Sequence, residues 1–233
     1  DEFWRSIFNL NHPNIHYIFV SDYFKKEVLS DLGVTCNPAN IHIIHNPIDT
    51  NLFSYRKKDP EQRKRILSIR PYASRVYAND LMVKAIIELS KRPCFNELHF
   101  KIIGDGVLFD ETIEPLKKFE NVEIFKGFLS QREIANLHKD YGVFLCPSRM
   151  DTQGVSRDEA MASGLVPVTN NVGAISEFLP KNDGFMCKPE DYIELANSID
   201  TIFRNPDLFA QMSASAASSI RQNRTSAMIS ESE

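Results

Sequence analysis

From Arg65 onward, short β-rich runs alternate with longer amphipathic ones, and this switching between a period of two and a period near 3.6 restricts the fold more than anything else in the chain. Strands are predicted near Ile66–Arg70, Leu98–Gly104, Val122–Lys126, Gly142–Cys146, Val166–Asn170 and Gly184–Cys187. Helices are predicted near Ala78–Lys91, Phe109–Phe119, Gln131–Asp140, Val155–Ser163, Ala174–Leu179, Glu190–Phe203 and Asp207–Gln222. Ser130-Gln-Arg-Glu133 has the form of a capping box, and Asn205-Pro206 sets a cap residue before a first-turn proline. Alternation of this kind gives an α/β fold, a parallel sheet with helices on both faces. In such sheets ligands sit outside the carboxyl ends of the strands. Four loops are expected there: Arg70–Arg75, Gly104–Asp110, Gly127–Ser130 and Pro147–Gly154.

Before Arg65 the pattern differs. His16–Val20 reads as a strand, Asp22–Leu32 as a helix and Ile41–His45 as a strand, followed by a segment with Pro60 and mixed charge that reads as a linker. The last residues, Arg221 to Glu233, are polar, and only the first few are expected to stay helical.

Composition narrows the function classes. At 233 residues, 42% hydrophobic and 25% charged, the chain is globular and long enough for one large core or one core plus an appendage. A net charge of −4 argues against broad electrostatic binding to nucleic acid. Cys36, Cys94, Cys146 and Cys187 are far apart with no C-x-x-C, which suits a reduced, cytosolic setting; Cys146 and Cys187 read as small core residues. No apolar run is long enough to span a bilayer, and the acidic start is no signal peptide.

The stretch Ser148 to Val168 carries the most chemistry. Its loop holds Asp151, turns at Gly154 and enters a helix that presents Glu159, eight positions after the aspartate. First-turn N–H groups lack partners and the helix dipole is positive there, so this start suits an anion. The Glu159 carboxylate lies one turn in and reaches back toward whatever the loop holds. A phosphate at the helix start with a carboxylate behind it fits a nucleotide with a ribose diol; an ordinary strand-loop-helix joint with a surface glutamate is the alternative. Asp158 points elsewhere on the helix and is expected to be solvated. There is no D-x-D and no clustered His/Cys. His42 and His45, three apart on one strand, fall on opposite faces, so no metal site is expected.

Asp151…Glu159 followed by Ala-Met-Ala-Ser-Gly-Leu-Val-Pro-Val resembles the E-x7-E segment of retaining GT-B glycosyltransferases of family 4. The flanking order fits as well: Asn46-Pro-Ile-Asp49, Ile66-Leu-Ser-Ile-Arg70, Ile103-Gly-Asp-Gly106, Phe125-Lys-Gly127, Cys146-Pro-Ser148 and Gly173-Ala-Ile-Ser-Glu177. The resemblance implies a GT-B fold of two Rossmann-like domains with the reaction between them. Residues 1–45 then read as a remnant of the amino-terminal acceptor domain, 46–64 as the linker and 65–233 as the nucleotide-sugar donor domain. Most of the acceptor half is absent, which leaves room for peripheral contact with the inner face of a membrane through that half.

By the same resemblance, Arg70 and Arg75 bind the donor's diphosphate through planar guanidinium groups. Arg75 replaces a family lysine, with Lys84 as the fallback. Gly104 and Gly127 let the backbone pass close to the donor. Gly127-Phe128-Leu129 matches the segment that holds the nucleobase through its backbone, although the ring of Phe128 reads as a core aromatic. Asp151 and Arg75 are the catalytic candidates; Asp151 stands where the family has glutamate and has one methylene less of reach. Thr152, Gln153, Gly154, Val155 and Ser156 complete the donor loop, with Glu159 on the helix behind it. The implied partner is a nucleotide-diphosphate sugar used without metal or other cofactor. Two other classes compete. One is a non-catalytic nucleotide-sugar-binding or protein-interaction module, favoured by the truncated acceptor half and by the departures at Asp151 and Tyr77-Ala78. The other, a dinucleotide-dependent dehydrogenase, lacks a G-x-G-x-x-G after the first strand.

Overall fold

A computed structural model of the chain describes residues 2–10, 12–34 and 40–224. The β-rich runs become six strands of one sheet: β3 (Arg65–Ile69), β4 (His99–Gly104), β5 (Val122–Lys126), β6 (Val143–Leu145), β7 (Val166–Asn170) and β8 (Phe185–Cys187). They lie in the order β5-β4-β3-β6-β7-β8, and every neighbouring pair is parallel. β6 and β7 are buried at every position, as expected of strands covered on both faces.

The pleat sorts residues by parity. Ile66, Ile102, Val143 and Val166 join one apolar cluster, while their neighbours Leu67, Ile103, Phe144 and Leu165 join another. The first cluster is closed by α3 (Asn79–Leu89), α4 (Phe109–Ile113) and α8 (Tyr192–Arg204) through Leu81, Ile86, Phe109 and Ile199. The other face is covered by α5 (Gln131–His138), α6 (Val155–Ala162), α7 (Ile175–Phe178) and α9 (Pro206–Asn223), with Met161, Ile175, Ala216 and Ile220 packed together. The fold is therefore α/β and Rossmann-like, as the alternation predicts.

Several local expectations are corrected. The helix predicted over Phe109–Phe119 ends at Ile113 and continues as a 3-10 turn over Glu114–Leu116, because Pro115 cannot donate to the carbonyl one turn back. The capping box at Ser130 and Glu133 forms. Asn205 does not cap α9: its amide turns back to donate to the Thr201 carbonyl at 2.7 Å. An amino-terminal helix, α1 (Glu2–Asn9), is not foreseen from the sequence pattern. It seats Phe8 against Phe19 of β1 (Tyr17–Phe19) and Leu32 of α2 (Asp22–Leu32), and β1 pairs in parallel with β2 (Ile41–Ile43).

Segment 46–64 is no loose spacer. Ile48 and Phe53 are 1% and 2% exposed, packed on Met161 and Ala216, so the mixed-charge run is a strap with apolar anchors. Lys58 of the same strap is buried and donates to the His138 carbonyl; burial pushes its ammonium down to about 8. Cys94, Cys146 and Cys187 are buried free thiols, while Cys36 and the residues after Arg224 lie outside the described residues. No helix among the described residues is long and apolar enough to cross a membrane.

Candidate functional site

The strand order reverses between β3 and β6, and a reversal of this kind opens a crevice at the carboxyl ends of the two strands. Arg70 leaves β3 there, and Cys146-Pro147-Ser148 leaves β6. The Arg70 guanidinium is mostly buried, lies 5.3 Å from the Tyr77 ring centre, and places Nη1 3.5 Å from Ser156 Oγ on the first turn of α6. Its Nε has no hydrogen-bond partner among the described residues. A buried guanidinium with donor capacity to spare, aimed at a helix start, is suited to an anionic ligand.

α6 starts without a side-chain cap, because its N-cap is Gly154 at φ +89°. The preceding loop is braced from two sides. Asp151 Oδ1 accepts from Gln153 N at 3.1 Å, and the Asp151 carbonyl accepts from Ala174 N at 2.9 Å. A Cβ on Gly173 would meet that carbonyl at 2.2 Å, so glycine is required for the brace to close. One turn into α6, Glu159 Oε1 stands 3.5 Å from Gln131 Nε2, which joins the start of α5 to the same corner. Burial, then the adjacent Asp158 charge, pushes the Glu159 carboxyl up to about 7.

The other candidates divide. Arg75 and Lys84 line one groove of about 380 Å³ between α3 and α4, together with Asp80 and Thr112; Arg70, Ser156 and Glu159 are absent from its walls. The two alternatives for the second cation thus share a cavity, beside rather than within the Arg70–Ser156 corner. Gln153 is 1% exposed, and its side-chain amide is committed to Asn46 by three hydrogen bonds. Thr152 is half-buried in the loop, and Val155 packs on the Met161–Ile175 cluster. Leu129 rests on the Leu67–Ile103 cluster.

Two readings, those of the Phe128 ring and of Asp158, are overturned. Phe128 is no core aromatic: its ring is 78% exposed, because the neighbouring core space is filled by Leu129. At Gly104 the backbone that passes close is the chain's own, since a Cβ there would sit 2.0 Å from the Arg70 carbonyl and 2.7 Å from the Tyr72 ring. Asp158 is not solvated; it is fully buried, 2.8 Å from Arg157 and 3.0 Å from Arg224. Gly104→Ala is accordingly expected to displace the Arg70 loop and destabilise the fold by about 1–3 kcal/mol or more, read as a lower urea midpoint.

Arg149 has no sequence signal to announce it. It grips Asp80 and Glu190 through paired contacts and donates to the Arg75 carbonyl at 2.8 Å, pinning the 75–77 turn; its hydrogen bond holds the Asp80 carboxyl below the usual carboxylate range. Its partners lie 69 and 41 positions away, and neither periodicity nor motif links them.

Sheet order, loop and helix start together define a nucleotide-type crevice of the Rossmann class. The family described as glycosyl transferases group 1 matches residues 53–219, and the chain belongs to it, in the GT-B, family 4 form that the sequence resembles. Among curated relatives, a human phosphatidylinositol N-acetylglucosaminyltransferase subunit is 28% identical over 179 residues, covering 75% of this chain and 35% of its own length. Among solved structures, S. aureus TarM superposes with a TM-score of 0.81 at 19% identity, over 99% of this chain and 44% of TarM. Anabaena HepE, solved with UDP-glucose, gives 0.77 at 19% identity, over 98% of this chain and 65% of HepE. The chain spans about a third of the human relative's length.

Proposed function

We propose that this chain is the nucleotide-sugar-binding part of a glycosyltransferase that transfers a glycosyl group to an acceptor hydroxyl with retained anomeric configuration, in polysaccharide or glycoconjugate synthesis. The observation that carries the reading is the meeting of Arg70, the uncapped start of α6 and the Glu159 carboxylate at the sheet's reversal point. Arg70 and the first-turn N–H groups would stabilise the leaving diphosphate, and Glu159 would accept hydrogen bonds from the ribose diol. HepE, which shares the fold, has been solved with UDP-glucose. Thermal-shift screening against UDP-, GDP-, ADP-, CDP- and dTDP-sugars tests the reading, since a ligand that binds the native state raises its melting temperature. No shift with any member would refute it.

A second reading, a nucleotide-sugar-binding module without catalysis, is favoured by one observation. The Asp151 carboxylate, the acid closest to the family's first glutamate, is held back in its own loop by Gln153 N. Slow hydrolysis of the bound donor, lost in Asp151→Asn, would separate the two.

Donor binding is expected to be independent of divalent metal. Cationic side chains and helix amides take the charge-offsetting role, and the described residues hold no cluster of three or more His, Cys, Asp or Glu side chains that could bind an ion. Titration with the best donor should give the same affinity in EDTA, Mg²⁺ or Mn²⁺. A strict metal requirement would overturn this part of the proposal.

A further inference from the structure

We infer that Arg157 is the positioning residue of the donor loop, setting the backbone of Gln153 and Gly154 from beneath while Asp158 and Arg224 hold its guanidinium in place. This rests on the proposed donor site. Arg157 is 2% exposed and faces away from solvent, so it serves neither solubility nor direct encounter with ligand. Its Nη2 donates to the Gln153 carbonyl at 2.5 Å. The guanidinium also occupies the space beneath Gly154: a Cβ there would lie 2.8 Å from Cζ and from Nη1. One planar group thus fixes both the carbonyl before the N-cap and the left-handed N-cap itself, and these two peptide units aim the first N–H groups of α6. A hydrogen bond to a single carbonyl leaves a loop free to pivot; a bond plus a packed plane does not.

The guanidinium is itself constrained. Asp158 Oδ1 accepts from Arg157 Nε at 3.1 Å and Nη2 at 2.8 Å. On the far side Asp158 Oδ2 lies 3.0 Å from Arg224 Nη1. Arg224 donates to the Phe178 carbonyl at 2.6 Å, and its own carbonyl accepts from Ile48 N at 2.9 Å. The donor loop is therefore registered against the end of α9 and the strap, with the Gln153 side chain seated on Asn46 as a second tie. Buried ion groups are weak sources of net stability, and the role inferred for this one is fixed geometry, through the directional bonds of Arg157 to Asp158 and to the Gln153 carbonyl.

The test measures donor affinity and stability separately, using UDP-glucose or whichever nucleotide-sugar of the panel binds best. In Arg157→Lys the charge beside Asp158 is kept while the planar fork is lost. It is expected to melt within a few degrees of the native chain and to bind at least fivefold more weakly. Should it fail to fold, the variant replacing all three groups with apolar ones (Arg157→Met, Asp158→Leu, Arg224→Met) decides the question, because apolar substitution of a whole buried ion group is often neutral for stability. Folded protein with affinity within twofold of native, in either variant, overturns the inference. Full loss of binding in Glu159→Ala with no loss in these variants would leave the donor site standing and this role refuted. No binding by the native chain would refute the donor site instead.

Discussion

Glu159→Ala is expected to lower nucleotide-sugar affinity tenfold or more while the chain stays folded. The side chain is part-buried one turn behind the uncapped start of α6, and among the described residues its one hydrogen-bond contact is with Gln131 at 3.5 Å, so its removal breaks no strong bond there. Hydrogen bonds to a charged group contribute about 1.5–3 kcal/mol each, and a ribose diol offers two hydroxyls. Unchanged calorimetric affinity would refute the role. The pH profile gives a second check. The carboxyl, pushed up to about 7, must be ionised to accept both hydroxyls. Affinity for a nucleotide-sugar, whose diphosphate diester does not titrate there, should rise about tenfold from pH 6 to pH 8 and then level off. Glu159→Gln should flatten that profile. The sign for stability is opposite to that of a salt-bridged carboxylate. Between the ordinary carboxylate value and about 7, the folded state holds a proton that the unfolded state has released, so this group costs stability as pH rises through that window.

How much of this was legible in the chain follows from the range of each interaction. Strand and helix positions from Arg65 onward rest on local periodicity, and burial enforces that periodicity residue by residue: Ile66 and Leu67 go to opposite clusters because the pleat separates them. The loop-helix joint at Gly154 is legible because the turn and the start of α6 are local consequences of adjacent residues. What escaped is non-local charge. Asp158 reads as a surface acid from its helix position, and its burial is decided by Arg224, which arrives from 66 residues away at the end of α9. Gly104 announces a close approach but not whose backbone approaches; the answer, the Arg70 carbonyl, lies just past the end of the neighbouring strand. The packing of segment 46–64 is not legible in its charge pattern, because two apolar anchors, Ile48 and Phe53, are buried among the charged residues around them.

The second large effect concerns turnover. These 233 residues are expected to bind a nucleotide-sugar and to transfer the glycosyl group negligibly. Transfer needs donor and acceptor held in near-attack geometry, and that positioning can account for about 7–11 kcal/mol of barrier, a rate factor of roughly 10⁵ to 10⁸. Arg70, Ser156 and Glu159 gather at the carboxyl ends of β3 and β6, and the amino-terminal unit of α1, β1, α2 and β2 is tied on by Glu177 accepting from Asp22 N at 3.0 Å. Among the described residues, Phe8, Phe19, Leu32 and Val34 form its buried core. The curated relatives are much longer; the human one is covered over only 35% of its length. A longer chain carrying a full facing domain, given the donor found by thermal shift and a panel of sugar, lipid and polyol acceptors, should gain activity by orders of magnitude over the 233-residue chain. Efficient transfer by the short chain would mean that acceptor binding resides within these same residues, and the argument from a facing domain would fail.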